Sequence, residues 1–106
     1  MITVSFTRNA NGIYNGFKTK GHAEFADSGY DIICSAVSVL VVNTINSIET
    51  FTSDQFDLIG GDVTSKIEFV ILSEVSKEST LLLNSLALGL NSIVEEYGQD
   101  YIELKV

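Results

Sequence analysis

The stretch that most restricts the fold runs from Ile32 to Ile48. It contains no charged residue, and Ile33, Val37, Leu40, Val41, Thr44, Ile45 and Ile48 recur in it at three- and four-residue spacing. That period lays them along one face of a helix. The helix is predicted from Ile32 to about Phe51, with Asp31 as its N-cap. Its other faces carry Ile32, Ala36, Val39 and Val42 among Ser, Thr and Asn. A helix this long and this short of charge needs cover on more than one side, from a sheet and from a second helix or subunit. A chain of 106 residues has room for one such core and not two, so residues 1–106 are expected to form a single domain.

The remaining segments supply the sheet. Ile2, Val4 and Phe6 alternate with Thr3, Ser5 and Thr7, the pattern of a half-buried strand. Asn9-Ala10-Asn11-Gly12 offers turn residues, and Ile13 to Lys20 reads as a second strand interrupted by Gly16. Phe56 to Ile59 is a short strand, followed by a Gly60-Gly61-Asp62 turn and a strand from Val63 to Leu72. Lys77 to Tyr97 places Leu82, Leu86, Leu90, Ile93 and Tyr97 on one helical stripe that closes at Gly98. Tyr101 to Val106 alternates as a final strand. The predicted fold class is α+β in the order β-β-α-β-β-α-β: a mostly antiparallel sheet with two helices packed on it.

Charge excludes partners more than it names them. Fourteen acidic residues face six basic ones, for a net −8. Such a field repels phosphate backbones, so no direct nucleic-acid partner is expected. It favours solubility and attracts basic proteins. The longest run free of charge, Asn and Gln, Ile32 to Val42, is well short of the ~20 residues of a membrane span, and no membrane association is expected. Met1 leads straight into a strand pattern, with no sign of a signal peptide. One cysteine precludes an internal disulfide and suits a reducing, cytoplasmic location. One histidine and one cysteine without a paired-ligand spacing give no metal site, and no cofactor motif is present.

That histidine and that cysteine, His22 and Cys34, are the chemically interesting pair. Each has a plain structural reading: a solvated loop residue and a small packed apolar one. Their placement favours chemistry. With Asp31 as N-cap, Cys34 falls in the first helical turn, where unpaired amides and the helix dipole lower a thiol pKa. The segment Gly21 to Gly29 reads as a loop able to return His22 to the thiol, with Gly21 and Gly29 as its hinges. Asp31 has two readings, helix cap or a group orienting His22. Ser38, one turn beyond Cys34 on the same face, either hydrogen-bonds near the thiolate or satisfies a backbone carbonyl.

Gly21-His22-Ala23, then Gly29, then Asp31-Ile32-Ile33-Cys34-Ser35-Ala36-Val37-Ser38 resembles the hallmark of the bacterial ribosomal-processing cysteine proteases, the Prp family. The order G-H-A, G-x-D, an apolar pair and C-x-A-V-S is reproduced with the family's twelve-position interval from His to Cys. Looser similarity includes the first strand, the Gly60-Gly61 turn and Ile93-Val94-Glu95-Glu96-Tyr97. Ser35 and Ile33 stand where Ala and Val are common, and Glu24 to Ser28 matches no fixed motif. The resemblance implies a small two-layer or sandwiched α/β protein, generally a homodimer. It implies an endopeptidase that removes a short N-terminal extension from the precursor of large-subunit ribosomal protein twenty-seven. Cys34 would then be the nucleophile and His22 the base. The alternatives left open are an acidic, non-enzymatic binding module for a basic ribosomal partner, and a thiol amidase or acyltransferase on another substrate.

Overall fold

The computed structural model describes residues 1–21, 28–60, 66–98 and 100–106, with side chains left aside for 28–31. The elements are β1 (Ile2–Arg8), β2 (Tyr14–Lys20), α1 (Ser28–Phe51), β3 (Phe56–Gly60), β4 (Lys66–Ile71), α2 (Lys77–Tyr97) and β5 (Ile102–Lys105). Their order is the one the sequence predicts. They build a five-stranded sheet, β3-β4-β2-β1-β5, in which only the β1–β5 pair is parallel.

Register follows from side chains that must share the buried face. Phe6 lies opposite Phe17, and Phe17 opposite Phe69. The Phe17 and Phe69 rings stack at 5.3 Å, and Phe56 joins Phe69 at 5.0 Å. A one-residue slip would turn this aromatic row into water, so the pairing is strongly specified. The hairpin between β1 and β2 is closed by Asn9, whose Oδ1 accepts from the N–H groups of Asn11 and Ile13.

Both helices contribute to one core. Ile33, Val37, Val41, Ile45 and Ile48 of α1 and Leu83, Leu86, Leu90 and Ile93 of α2 are buried with Ile2, Val4, Phe17, Phe69, Ile71 and Ile102 of the sheet. The helices pack against each other closely at Gly89, where an added Cβ would press on Leu40. The far side of α1 is not covered. Ile32, Val39 and Val42 are exposed there, as are Leu81 and Leu88 on α2. By length and composition alone Ile32–Phe51 would pass for a membrane span, but its opposite face is an integral part of this core.

Helix α1 begins earlier than its N-cap signal suggests. Ser28, Gly29, Tyr30 and Asp31 are helical, so Asp31 lies inside α1 and is not its N-cap. The first four N–H groups of a helix have no intrahelical acceptor, so Gly, Ser and Asp cost little there. A sequence reading that treats Gly29 and Asp31 as helix breakers therefore starts the helix one turn late.

The start of α2 is fastened to the end of α1. Ser76 is the N-cap, its Oγ accepting from the Ser79 N–H at 3.1 Å. Ser76 donates its own N–H and hydroxyl to Asp54 Oδ2 at 3.0 and 2.8 Å. Partial burial works against ionisation of Asp54, yet the nearby Ser79 hydroxyl and the two Ser76 donors outweigh it and hold the carboxyl below its ordinary 3.8. The Ser79 hydroxyl is buried without a bond of full geometry, so the Ser76 pair is the firm anchor.

Two outcomes are expected from this cap. Ser76→Ala should lower stability by about 1 kcal/mol in denaturant unfolding. Because the folded Asp54 pKa is depressed, its contribution is present above the unfolded value and disappears as pH falls through the folded one. The melting-temperature gap between wild type and Asp54→Asn should thus be open at pH 7 and close progressively below pH 3.8.

Candidate active site

Cys34 sits in the second turn of α1, half-buried, on the rim of the core cluster. Its neighbour Ile33 is fully buried while Ser35 and Ile32 are exposed, so the thiol occupies the border between core and solvent. A side chain placed this way is held by packing yet open to a reagent from one side. Ser38 follows one turn later on the same flank and is exposed. The opposite flank, with Leu40, is the one against α2. Cys34 and Ser38 therefore share the side of α1 that faces away from its partner helix.

The longer helix changes the electrostatic reading of this thiol. In the second turn the amide of Cys34 lies within the i→i−4 ladder and is not one of the four unpaired donors at the helix start. The dipole effect also falls off within the first turn. Activation of Cys34 by the helix terminus is thus not what the geometry offers, and a proton-accepting partner such as histidine becomes the more important element. His22 and the 22–27 segment lie outside the described residues, as does the Asp31 side chain.

The two glycines expected as hinges part company. Gly29 is an interior residue of the first turn of α1 and no hinge. Gly21, which ends β2, has φ +91°, a region that L side chains rarely adopt, and a Cβ there would run into the Met1 carbonyl. It stands one residue before His22, close against the backbone of Met1 and Ile2. The register Lys20↔Lys66 and Ile67↔Gly60 puts it at the same end of the sheet as the end of β3. Sequence reasoning had no signal for this convergence, which depends on strand order.

Among the described residues, no group of three His, Cys, Asp or Glu side chains is placed to hold a metal ion. The chemistry available at Cys34 is that of a thiol nucleophile.

Comparison with known proteins agrees with that chemistry. The family described as cysteine protease Prp matches residues 1–103. The ribosomal processing cysteine protease Prp of Staphylococcus aureus (strain Mu50) is 29% identical over 100 residues, 94% of each chain. A crystal structure of the essential S. aureus ribosomal processing protease Prp with a substrate peptide superposes with TM-score 0.89 at 28% identity, covering 99% of this chain and 98% of that one. Another, with a covalently linked product peptide, gives 0.86 at 30% identity and the same coverage.

Gly21→Ala should destabilise the protein by at least ~1–2 kcal/mol, the cost of a Cβ at positive φ, with the collision at Met1 added to it. Chemical denaturation reads the loss. Gly29→Ala, in a helical position, should leave the midpoint unchanged or raise it.

Proposed function

This chain belongs to the cysteine protease Prp family, and we propose that it is the endopeptidase that trims the N-terminal extension from the precursor of large-subunit ribosomal protein twenty-seven, in the cytoplasm. One observation carries the proposal. The chain's one cysteine stands at the solvent border of a helix in a fold that overlays closely on a relative holding its product peptide covalently. A thiol nucleophile that forms an acyl-enzyme accounts for such a linkage.

In the proposed reaction the Cys34 thiol gives its proton to His22, and the sulfur adds to the scissile carbonyl carbon. The C–N bond breaks as His22 returns the proton to the departing amine, leaving a thioester on Cys34. Water then loses a proton to His22 and attacks the thioester. The new carboxylate leaves, and the sulfur recovers its proton. Gly21 directs the chain that carries His22. Asp31, placed within the first turn, and Ser38, one turn past the thiol, are supporting residues of this dyad. The net charge of −8 suits a ribosomal substrate, which must itself be basic to sit on RNA.

We further propose that two copies associate through the helix layer. Val39 is 66% and Leu88 69% exposed, and Ile32, Val42 and Leu81 extend the apolar surface across both helices. A contiguous surface of that kind is rarely left to water. Pairing by a two-fold axis would bury the α1 face that the sheet and α2 leave bare.

Mass spectrometry of the extended precursor should show one clipped product with wild type and none with Cys34→Ala or His22→Ala. An uncut precursor together with an alkylatable Cys34 would indicate another thiol chemistry. Val39→Asp should convert the dimer to monomer in sedimentation velocity.

A further inference from the structure

We propose that the outer edge of β3 is the docking strand for the substrate, which pairs with it as an additional strand and is so guided to the end of the sheet at which β2 ends. The inference rests on the protease assignment and goes beyond it to how the peptide is gripped.

The two edges of the sheet differ. β5 is short and carries Glu103 and Lys105, whose side chains pair at 3.6 Å. Charge and brevity are the usual means by which an edge is kept from pairing with other chains. β3 has neither lysine nor proline, and its pairing with β4 runs without a bulge. It also exposes two adjacent apolar residues on opposite faces, Leu58 at 45% and Ile59 at 62%. An edge this open is a hazard unless something binds there.

Backbone direction supports a bound strand. Leu72 donates its N–H to the Gln55 carbonyl, which sets the phase of the β3–β4 ladder. In an antiparallel pair such bonds join residues directly opposite and then skip one position. Asp57 and Ile59 therefore turn their polar groups toward β4. Phe56, Leu58 and Gly60 turn theirs outward, a regular row of donors and acceptors.

The side chains suit an extended peptide with alternating apolar residues. On the open face Ile59, Val70 and Asp57 line a groove of about 340 Å³ that Arg8, Lys18 and Glu68 also border. On the helix side Leu58 offers a second apolar contact. Asp57, the one charged residue of β3, can pair with a basic side chain of the bound peptide, while Arg8, Lys18 and Glu68 border the groove beyond it. β3 ends at Gly60, at the end of the sheet where β2 delivers Lys20 and Gly21. An added strand would run directly to that end. Addition of a strand to a sheet edge is a general way to hold an extended peptide through its backbone.

The test uses a synthetic peptide spanning the precursor's cleavage junction, N-methylated at one backbone position at a time. Pairing with β3 predicts that kcat/KM falls about fivefold at alternate positions and stays near wild type between them. Leu58→Pro, which removes one outward N–H without breaking the inner ladder, should reduce cleavage of the unmethylated peptide by a similar factor. Alkylation of Cys34 by iodoacetamide should keep its wild-type rate in that variant. A loss without the two-residue period, or no loss, overturns the proposal; the methylation series needs only the wild-type protein. A periodic loss with full cleavage by Leu58→Pro would move the docking strand elsewhere and also overturns it. So would a drop in association state on Leu58→Pro, which would make the edge a contact between copies. If wild type leaves the unmodified peptide whole, the protease assignment fails first.

Discussion

The buried stripe of α1 is the constraint from which the rest follows. Ile33, Val37, Val41, Ile45 and Ile48 are all locked into one core with the sheet and α2. Five such contacts on one helix leave it no freedom to rotate, since any turn about its axis would expose some of them and open a cavity behind the others. Cys34 adjoins Ile33, the fully buried residue that begins that stripe. Its position at the solvent border is thus a by-product of packing, fixed by the buried residues beside it. A thiol held this way inherits the rigidity of the core without placing polar groups inside it.

Much of this was legible in the sequence because the pattern and the structure obey the same periods. Two-residue alternation marked β1 and β4, and the run from Lys77 to Tyr97, closed by Gly98 at φ +83°, marked α2 to its last residue. His22 and Cys34 were singled out together by resemblance, and His22 lies outside the described residues. What was not legible depends on distance in sequence. The first turn of α1 looks like loop because Ser, Gly and Asp favour turns locally, yet they cost little where the helix N–H groups have no intrahelical acceptor. The Asp54–Ser76 link spans two elements and leaves no local trace. Gly21 stood out as a loop boundary, but what requires glycine there, a positive φ beside the Met1 carbonyl, exists only once β1 and β2 are paired.

Strand order also sorts the charge. Lys20 pairs with Lys66, Lys18 with Glu68 and Ser5 with Lys105, which gathers four of the six basic residues onto the open face of the sheet. The helix layer and the β3 edge are correspondingly poorer in positive charge. A protein that is uniformly acidic in composition is therefore polarised in space, with its least repulsive surface for anions turned away from α1.

The parallel pairing of β1 with β5 has a consequence for the order of assembly. Ile2 lies beside Ile102, and the Ile2 N–H is bound by the Tyr101 carbonyl. β1 is among the earliest segments synthesised, yet one of its two sides must wait for a strand that follows every other described element. Contacts of that separation are slow to form. Until β5 arrives, Ile2 and Val4 border an open, apolar flank. A chain in which β5 has not yet docked therefore keeps one side of β1 unpaired and apolar, and the docking of β5 is what closes it.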